Sequence, residues 1–274
     1  DAITSPPMLL QHDMSLGFPL LTTKKMWIKS ISAELEFFIK GLTDKQWLKD
    51  RGCTIWNEWC SPELVPENLS DESRKEIQLN ENDLGPVYGY QWRNFNKTYS
   101  FNILQKVKNK LLSFFRKKPV DQLKVVIDKL KSDPDDRRMI VSAWNPQQLY
   151  QQALPPCHMT WGVQVINNKL NLWWLQRSCD FGAGIPYNMA SYAILLKLLA
   201  KESGYKEGIL TGFLADCHIY VDHVNQLKEQ LTRKPHKLPN LIINNFTSIF
   251  DWKYTDLELV DYKSHEKLVL PIAV

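Results

Sequence analysis

Two short segments carry residue types able to do chemistry together: Leu154-Pro155-Pro156-Cys157-His158 and, about twenty residues on, Gln176-Arg177-Ser178-Cys179-Asp180. A cysteine beside a histidine, directly after two prolines that fix the backbone, reads as an exposed nucleophile on a rigid turn. An arginine and a hydroxyl on a nearby strand can hold an anion, and the arginine favours a thiolate close to it. The alternative for any single cysteine is a small buried hydrophobe.

Two further segments are Gly184-Ile185-Pro186-Tyr187-Asn188 and Asp216-Cys217-His218-Ile219-Tyr220. With them the chain resembles the thymidylate synthase family, from Gly17-Phe18-Pro19-Leu20 to the last residue. The resemblance implies a single α+β domain over residues 1–274, a large mixed β-sheet packed with helices, with one sheet face forming a homodimer interface. It also implies one-carbon transfer from methylenetetrahydrofolate, a co-substrate, to carbon 5 of dUMP, without a metal. Carbon 5 of uracil is too weak a nucleophile by itself; a thiolate added to carbon 6 makes the ring an enolate whose carbon 5 reacts. Cys157 is the thiol expected to do this. The leading outcome is dTMP with dihydrofolate. A water-quenched outcome, giving hydroxymethyl-dUMP and tetrahydrofolate, is the alternative, and an inactive RNA-binding relative is a third.

What the resemblance implies for other residues follows their positions in the motifs. Arg177 and Ser178 match the phosphate ligands, with Gln176 beside them, and His158 is grouped with the catalytic residues. Arg137 and Arg138 match a pair that crosses from the partner subunit of a homodimer to serve the opposite site. Without that likeness, adjacent arginines on a strand read as one facing solvent and one paired. Asn188 offers one acceptor and one donor, so it suits the ring N–H and adjacent carbonyl of uracil. Relatives acting on dCMP carry aspartate there, so asparagine favours dUMP; a helix cap is the plainer alternative. His218 and Tyr220 match the pair that bonds the sugar 3′-hydroxyl. Glu34 sits in an apolar helix face, where burial raises a carboxyl pKa and suits proton transfer. It matches the catalytic glutamate, whereas solvent exposure fits Glu36 better. Tyr88, in Gly85-Pro86-Val87-Tyr88-Gly89, matches the tyrosine that helps remove the carbon-5 proton. For the folate, Ile55, Trp56 and Trp59 resemble the walls of an apolar slot and Asp180 the pterin ligand. Lys24, Gly184, Tyr187 and Ala273 complete the implied set, and the apolar tail Leu270-Pro271-Ile272-Ala273-Val274 resembles a closing flap.

Composition bounds the partners. With 274 residues and 44% hydrophobic content there is material for a substantial core. No apolar run approaches the ~18 residues that cross a bilayer, and no signal-peptide core opens the sequence. Five cysteines, an odd number without metal-like spacing, argue for free thiols in a reducing, cytoplasmic setting, a host's cytoplasm if the protein is viral. A net charge of +4 suits a small anion and is too slight to argue for nucleic acid.

The elements expected to position these groups can be read in outline. Residues 27–40 repeat apolar residues at helical spacing, and Gly41 is placed to cap the end. Residues 60–82 read as a surface loop or insertion. Residues 96–120 hold an amphipathic helix whose charge run reads as a solvated face rather than a binding patch. Val120–Leu130 reads as a helix, followed by a turn that delivers Arg137-Arg138 into a strand ending at Trp144. Residues 159–166 and 169–176 form a hairpin around Asn167-Asn168. Met189–Leu199 is an apolar helix, and His218–Leu231 another helical stretch. The departures from the family pattern suggest a divergent, even viral, member: Ser5-Pro6-Pro7 in place of a strand, Asp222, Ala215, Leu175, and a remnant of a His-Pro pair at Ser264-His265-Glu266. The family's Arg-Thr-Gly-Thr loop, which adds a phosphate contact, would lie upstream of Asp1.

Overall fold

The Asn167-Asn168 pair takes left-handed backbone angles at both positions (φ 50° and 60°), the geometry of a two-residue hairpin turn. It joins two long antiparallel strands, β4 (His158–Ile166) and β5 (Lys169–Asp180), as the sequence predicts. The computed structural model describes residues 1–102 and 118–270. In it, β5 also runs parallel to the 15-residue β6 (Lys206–Tyr220). A parallel pair needs a crossover, and helix α6 (Gly184–Ser203) supplies it. The far edge of β6 pairs with β1 (Ala2–Ser5) near its C-terminal end and with β2 (Met8–Asp13) along its middle. The short β3 (Ile140–Ser142) borders β4 and completes a mixed six-stranded sheet. Pro6 and Pro7 fall in the gap between β1 and β2, so the Ser5-Pro6-Pro7 departure interrupts a strand pair without abolishing it.

Alternation along β5 sorts its side chains. Leu170, Leu172, Trp174 and Gln176 are buried, and on this inner face α6 packs, with its Tyr192 stacked on Trp174. The outer face carries Leu175, its partner Phe213 on β6, and Leu9, which pairs Phe213 from β2. Leu9 is 59% exposed and Phe213 45%, an apolar stripe that no other described element covers. A second, two-stranded sheet joins β7 (Asn240–Ile243) to β8 (Leu257–Val260).

Seven described helices surround the sheet: α1 (Ile28–Ile39), α2 (Gln46–Lys49), α3 (Asp71–Asn80), α4 (Tyr88–Asn94), α5 (Gln122–Ser132), α6, and α7 (Val224–Thr232). Helix α1 fits the predicted span, and Gly41 terminates it at φ 66°, where a side chain would be strained. Helix α5 starts two residues later than expected because Asp121 caps it, accepting from the Lys124 amide at 3.0 Å.

Four expectations need correction. Residues 60–82 are not simply a loop: α3 forms there, capped by Ser70, and it buries no residue, so no apolar stripe announces it. The arginine pair lies in a turn ahead of the three-residue β3, not on the strand, because the Asp136 carboxylate accepts from the Arg138 amide and grips its guanidinium. His218 and Tyr220 end strand β6 instead of opening a helix; pairing with β1 and β5 carries the chain extended to Tyr220, and α7 begins at Val224. Glu36 is buried rather than at solvent, in an ion pair with Lys40 at 2.5 Å and accepting from the Tyr254 amide at 2.7 Å. The expected helix within 96–120 falls mainly on 103–117, outside the described residues, as do Ala273 and the rest of the tail beyond Leu270.

Candidate active site

A cavity of about 470 Å³ opens where the C-terminal ends of β5 and β6 meet α1, α4 and the start of α6. Of the residues singled out in the sequence, Glu34, Ile55, Trp56, Trp59, Tyr88, Cys157, His158, Gln176, Ser178, Asp180, Gly184, Tyr187, Asn188, His218 and Tyr220 all line it. Trp27, Cys53 and Thr54 line it too, and nothing in the sequence reading gave them a site role. Trp27 is half exposed at the start of α1, and an indole just before a helix is the signal that could have marked it.

Cys157 sits at the mouth of β4 on the turn set by Pro155 and Pro156. The Arg177 guanidinium donates to both proline carbonyls, at 2.8 and 3.0 Å, and the Arg177 amide donates to the Cys157 carbonyl at 2.8 Å. Arg177 thus braces the turn and does not itself line the cavity. The Cys157 amide donates to the Tyr88 hydroxyl at 2.8 Å. Burial pushes the Cys157 thiol up, while the Arg177 charge and a contact with Tyr88 pull it down. Burial outweighs both, so the thiol is held above its ordinary range.

His158 is no base in this setting. It is buried, its Nδ1 shares a 2.9 Å hydrogen bond with the Tyr192 hydroxyl, and burial lowers its pKa to about 3, leaving a neutral imidazole. Its ring stacks on Tyr88 with centroids 4.2 Å apart, and Tyr88 in turn stacks on Phe38 of α1. The Tyr88 hydroxyl is held well above the usual phenol range by the same burial, so it keeps its proton. Glu34, one turn earlier on α1, is the titrating group. Burial raises it to about 7, opposed by an indole N–H from Trp56 that donates to its carboxylate at 2.7 Å. A carboxyl poised there exchanges protons readily near neutrality.

Base-reading and anion-holding groups come from β5 and α6. Asn188 is in the first turns of α6 and is no cap; its Oδ1 accepts from Gln176 Nε2 at 3.0 Å, while that nitrogen also donates to the Ser178 carbonyl at 2.9 Å. Asp180 receives the amides of Gly182, Ala183 and Gly184 and so ties off the start of α6. Lys24 lies behind that turn, buried, donating to the Gly182 carbonyl at 2.5 Å, and does not line the cavity. His218 Nδ1 bonds the Asp216 carbonyl at 3.1 Å and its ring meets Tyr220 edge to face. Arg137 and Arg138 are also absent from the cavity wall of their own chain.

The indole wall is held from outside. Lys45, fully buried, gives its three N–H groups to the carbonyls of Asn57 and Trp59 in the slot loop and of Gln78 in α3. Among the described residues, no cluster of three or more histidines, cysteines and carboxylates could hold a metal, and no helix is long and apolar enough to cross a membrane.

The family model for thymidylate synthase matches residues 2–274. A thymidylate synthase of Mycoplasma mobile is 42% identical over 276 residues, covering 96% of this chain and 88% of that one. The bifunctional dihydrofolate reductase-thymidylate synthase of Paramecium tetraurelia is 42% identical over 265 residues, 97% of this chain, which spans 54% of that longer protein. By its motifs, its fold and these matches, the chain belongs to the thymidylate synthase family.

Proposed function

We propose that the protein converts dUMP to dTMP by reductive methylation, with methylenetetrahydrofolate as the source of both the carbon and the hydride. The observation that carries this is the meeting, in one cavity, of a turn-mounted thiol (Cys157), a carboxyl poised near neutrality (Glu34) and a side-chain amide fixed by Gln176 (Asn188). Cys157 adds to carbon 6 of the ring as its proton leaves, and Asn188 binds the ring N–H and carbonyl that distinguish uracil. Ser178 and Arg177 face the phosphate, with Arg177 leaving its proline carbonyls or bonding from its remaining N–H groups. His218 and Tyr220 bind the sugar. Glu34 handles protons on the ring, with neutral His158 and protonated Tyr88 shaping the pocket beside it.

Trp27, Ile55, Trp56, Trp59 and Tyr187 supply apolar walls suited to a flat folate ring, and Asp180 and Gly184 line the same cavity. Trp56 is almost fully buried and pinned by Glu34, so it excludes water from the reacting carbon, which favours hydride over hydroxylation. Incubating the protein with dUMP and methylenetetrahydrofolate and weighing the product tests this. dTMP formed together with dihydrofolate is expected; hydroxymethyl-dUMP without dihydrofolate would replace this reading by the water-quenched one, and no turnover would favour the inactive relative.

A homodimer belongs to the same proposal. The uncovered apolar stripe of Leu9, Phe213 and Leu175 is the surface such a dimer would bury, and Arg137 and Arg138, absent from their own cavity wall, would serve the partner's phosphate. Mixing Arg138→Ala chains with Cys157→Ser chains should then restore one intact site per mixed dimer, about half of parental activity for each mixed dimer and about a quarter for a statistical mixture. Mixed dimers that form and stay inactive would show that the arginines serve their own chain.

A further inference from the structure

Trp174 lies behind the cavity and does not line it, fully buried on β5. Its indole lies flat against Tyr192 of α6, with centroids 5.2 Å apart and 12° between planes. It fits because its cross-strand partner on β6 is Gly212; a Cβ there would stand 2.5 Å from the ring's Cζ2. Stacked on one side and slotted over glycine on the other, the ring has one orientation. That orientation aims its Nε1–H at Gln176 Oε1, 3.1 Å away.

An indole nitrogen donates and cannot accept. Amide groups, by contrast, have nearly the same shape in either orientation, so their partners decide which end faces which neighbour. Gln176 is caught between a group that only donates, Trp174, and a carbonyl that only accepts, Ser178. Its NH2 therefore faces Asn188, and Asn188 must answer with its oxygen. The Asn188 NH2 is then the end left to donate to a ring carbonyl, while its oxygen keeps a lone pair for a ring N–H. Cytosine offers the opposite order at these two positions. Of the two one-way partners, the Ser178 carbonyl is backbone; the Trp174 N–H is the one a side-chain change can remove.

We infer that Trp174 is a positioning residue: through Gln176 its indole N–H holds Asn188 in the donor–acceptor order that accepts uracil and rejects cytosine. The inference rests on the reading of Asn188 as the ligand of the base. The same ring also backs Tyr192, whose hydroxyl bonds His158, so one tryptophan supports both the base-reading side of the cavity and the stack beside the thiol.

Two variants test it. Trp174→Phe removes the N–H and keeps an aromatic ring against Tyr192. Benzothienylalanine placed at 174 alone keeps the indole's size and exchanges only N–H for sulfur, which guards against a loss that comes merely from a loosened core. For both, kcat/KM for dUMP should fall on the order of tenfold, chiefly through the KM for dUMP, since a buried amide oxygen loses its donor. The KM for the folate should stay put, and the ratio of dCMP to dUMP inhibition or binding constants should shift toward dCMP. A merely structural tryptophan would lower the melting temperature and leave that ratio alone. Variants that discriminate as the parent does overturn the inference, and if Trp174→Phe does not fold, the benzothienyl variant is sufficient by itself to do so. Parent protein that fails to turn over dUMP overturns the reading of the site and this inference with it. Parent turnover with unaltered discrimination in the variants overturns this inference alone.

Discussion

Replacing Cys157 with serine is expected to lower dUMP turnover by at least about a thousandfold, the scale of loss when a covalent nucleophile is removed. It should also abolish the covalent adduct with 5-fluoro-dUMP, read as a mass increase on the intact protein. A serine hydroxyl is far less acidic than a thiol, and the two rings beside it do not ionise it: His158 is neutral and bonded to Tyr192, and Tyr88 keeps its proton. The fold should be untouched. Tyr88 keeps the backbone amide of residue 157 and Arg177 the two proline carbonyls, and a serine hydroxyl can stand in for the thiol's own contact with Tyr88. Activity above about a hundredth of the parent's would mean that another group attacks the ring.

Glu34→Gln is expected to reduce kcat by about a hundredfold to ten-thousandfold, the usual worth of a positioned proton-transfer group. The amide oxygen can still accept from the Trp56 indole, so the slot wall stays in place and the loss reports proton transfer. Stability should move the other way. The folded chain keeps a proton on Glu34 up to about pH 7, whereas the unfolded chain gives it up near 4.5. Between those values the folded state binds more protons, so raising the pH destabilises it, by about 3 kcal/mol across the interval. Glutamine has no such dependence. In denaturant unfolding at several pH values, the variant should gain on the parent as pH rises from 4.5 to 7 and hold that advantage above. A difference that is flat with pH would mean that Glu34 is not desolvated as its burial indicates.

The features legible in the sequence were those with a local physical cause. Asn167-Asn168 announces its turn because two consecutive left-handed residues suit asparagine, and α1 is visible because its apolar residues recur on one face. The thiol on its proline turn was visible for the same reason. What escaped depends on partners far away in the chain. Glu36 looks like a surface charge until the Tyr254 amide, 218 residues on, is brought to it. His218 and Tyr220 follow a helix-like pattern, yet strands on both sides hold them extended. Helix α3 has a capping serine and an acidic first turn but no apolar face, so periodicity is silent about it. Arg177 reads in the sequence only as an anion ligand; its grip on the carbonyls of Pro155 and Pro156 has no signal there. Trp174 reads in the sequence as one more core aromatic; only the register with Gly212 and the side-chain chain to Asn188 gives it a direction.

Lys45 has a consequence for how the molecule opens. Its ammonium is out of water and satisfied by three carbonyls, two in the loop that carries Trp56 and Trp59 and one in α3. Neither the loop nor the helix can swing away alone without stranding part of a buried charge, which is more costly than the loss of an ordinary contact. The indole wall and α3 therefore belong to one cooperative opening unit, although α3 buries no residue of its own and would otherwise fray independently. Amide protons along residues 57–59 should exchange with solvent in step with those near the end of α3, and thermal fluctuations that admit bulk water to the slot would be gated by the melting of a surface helix some distance from the reacting carbon.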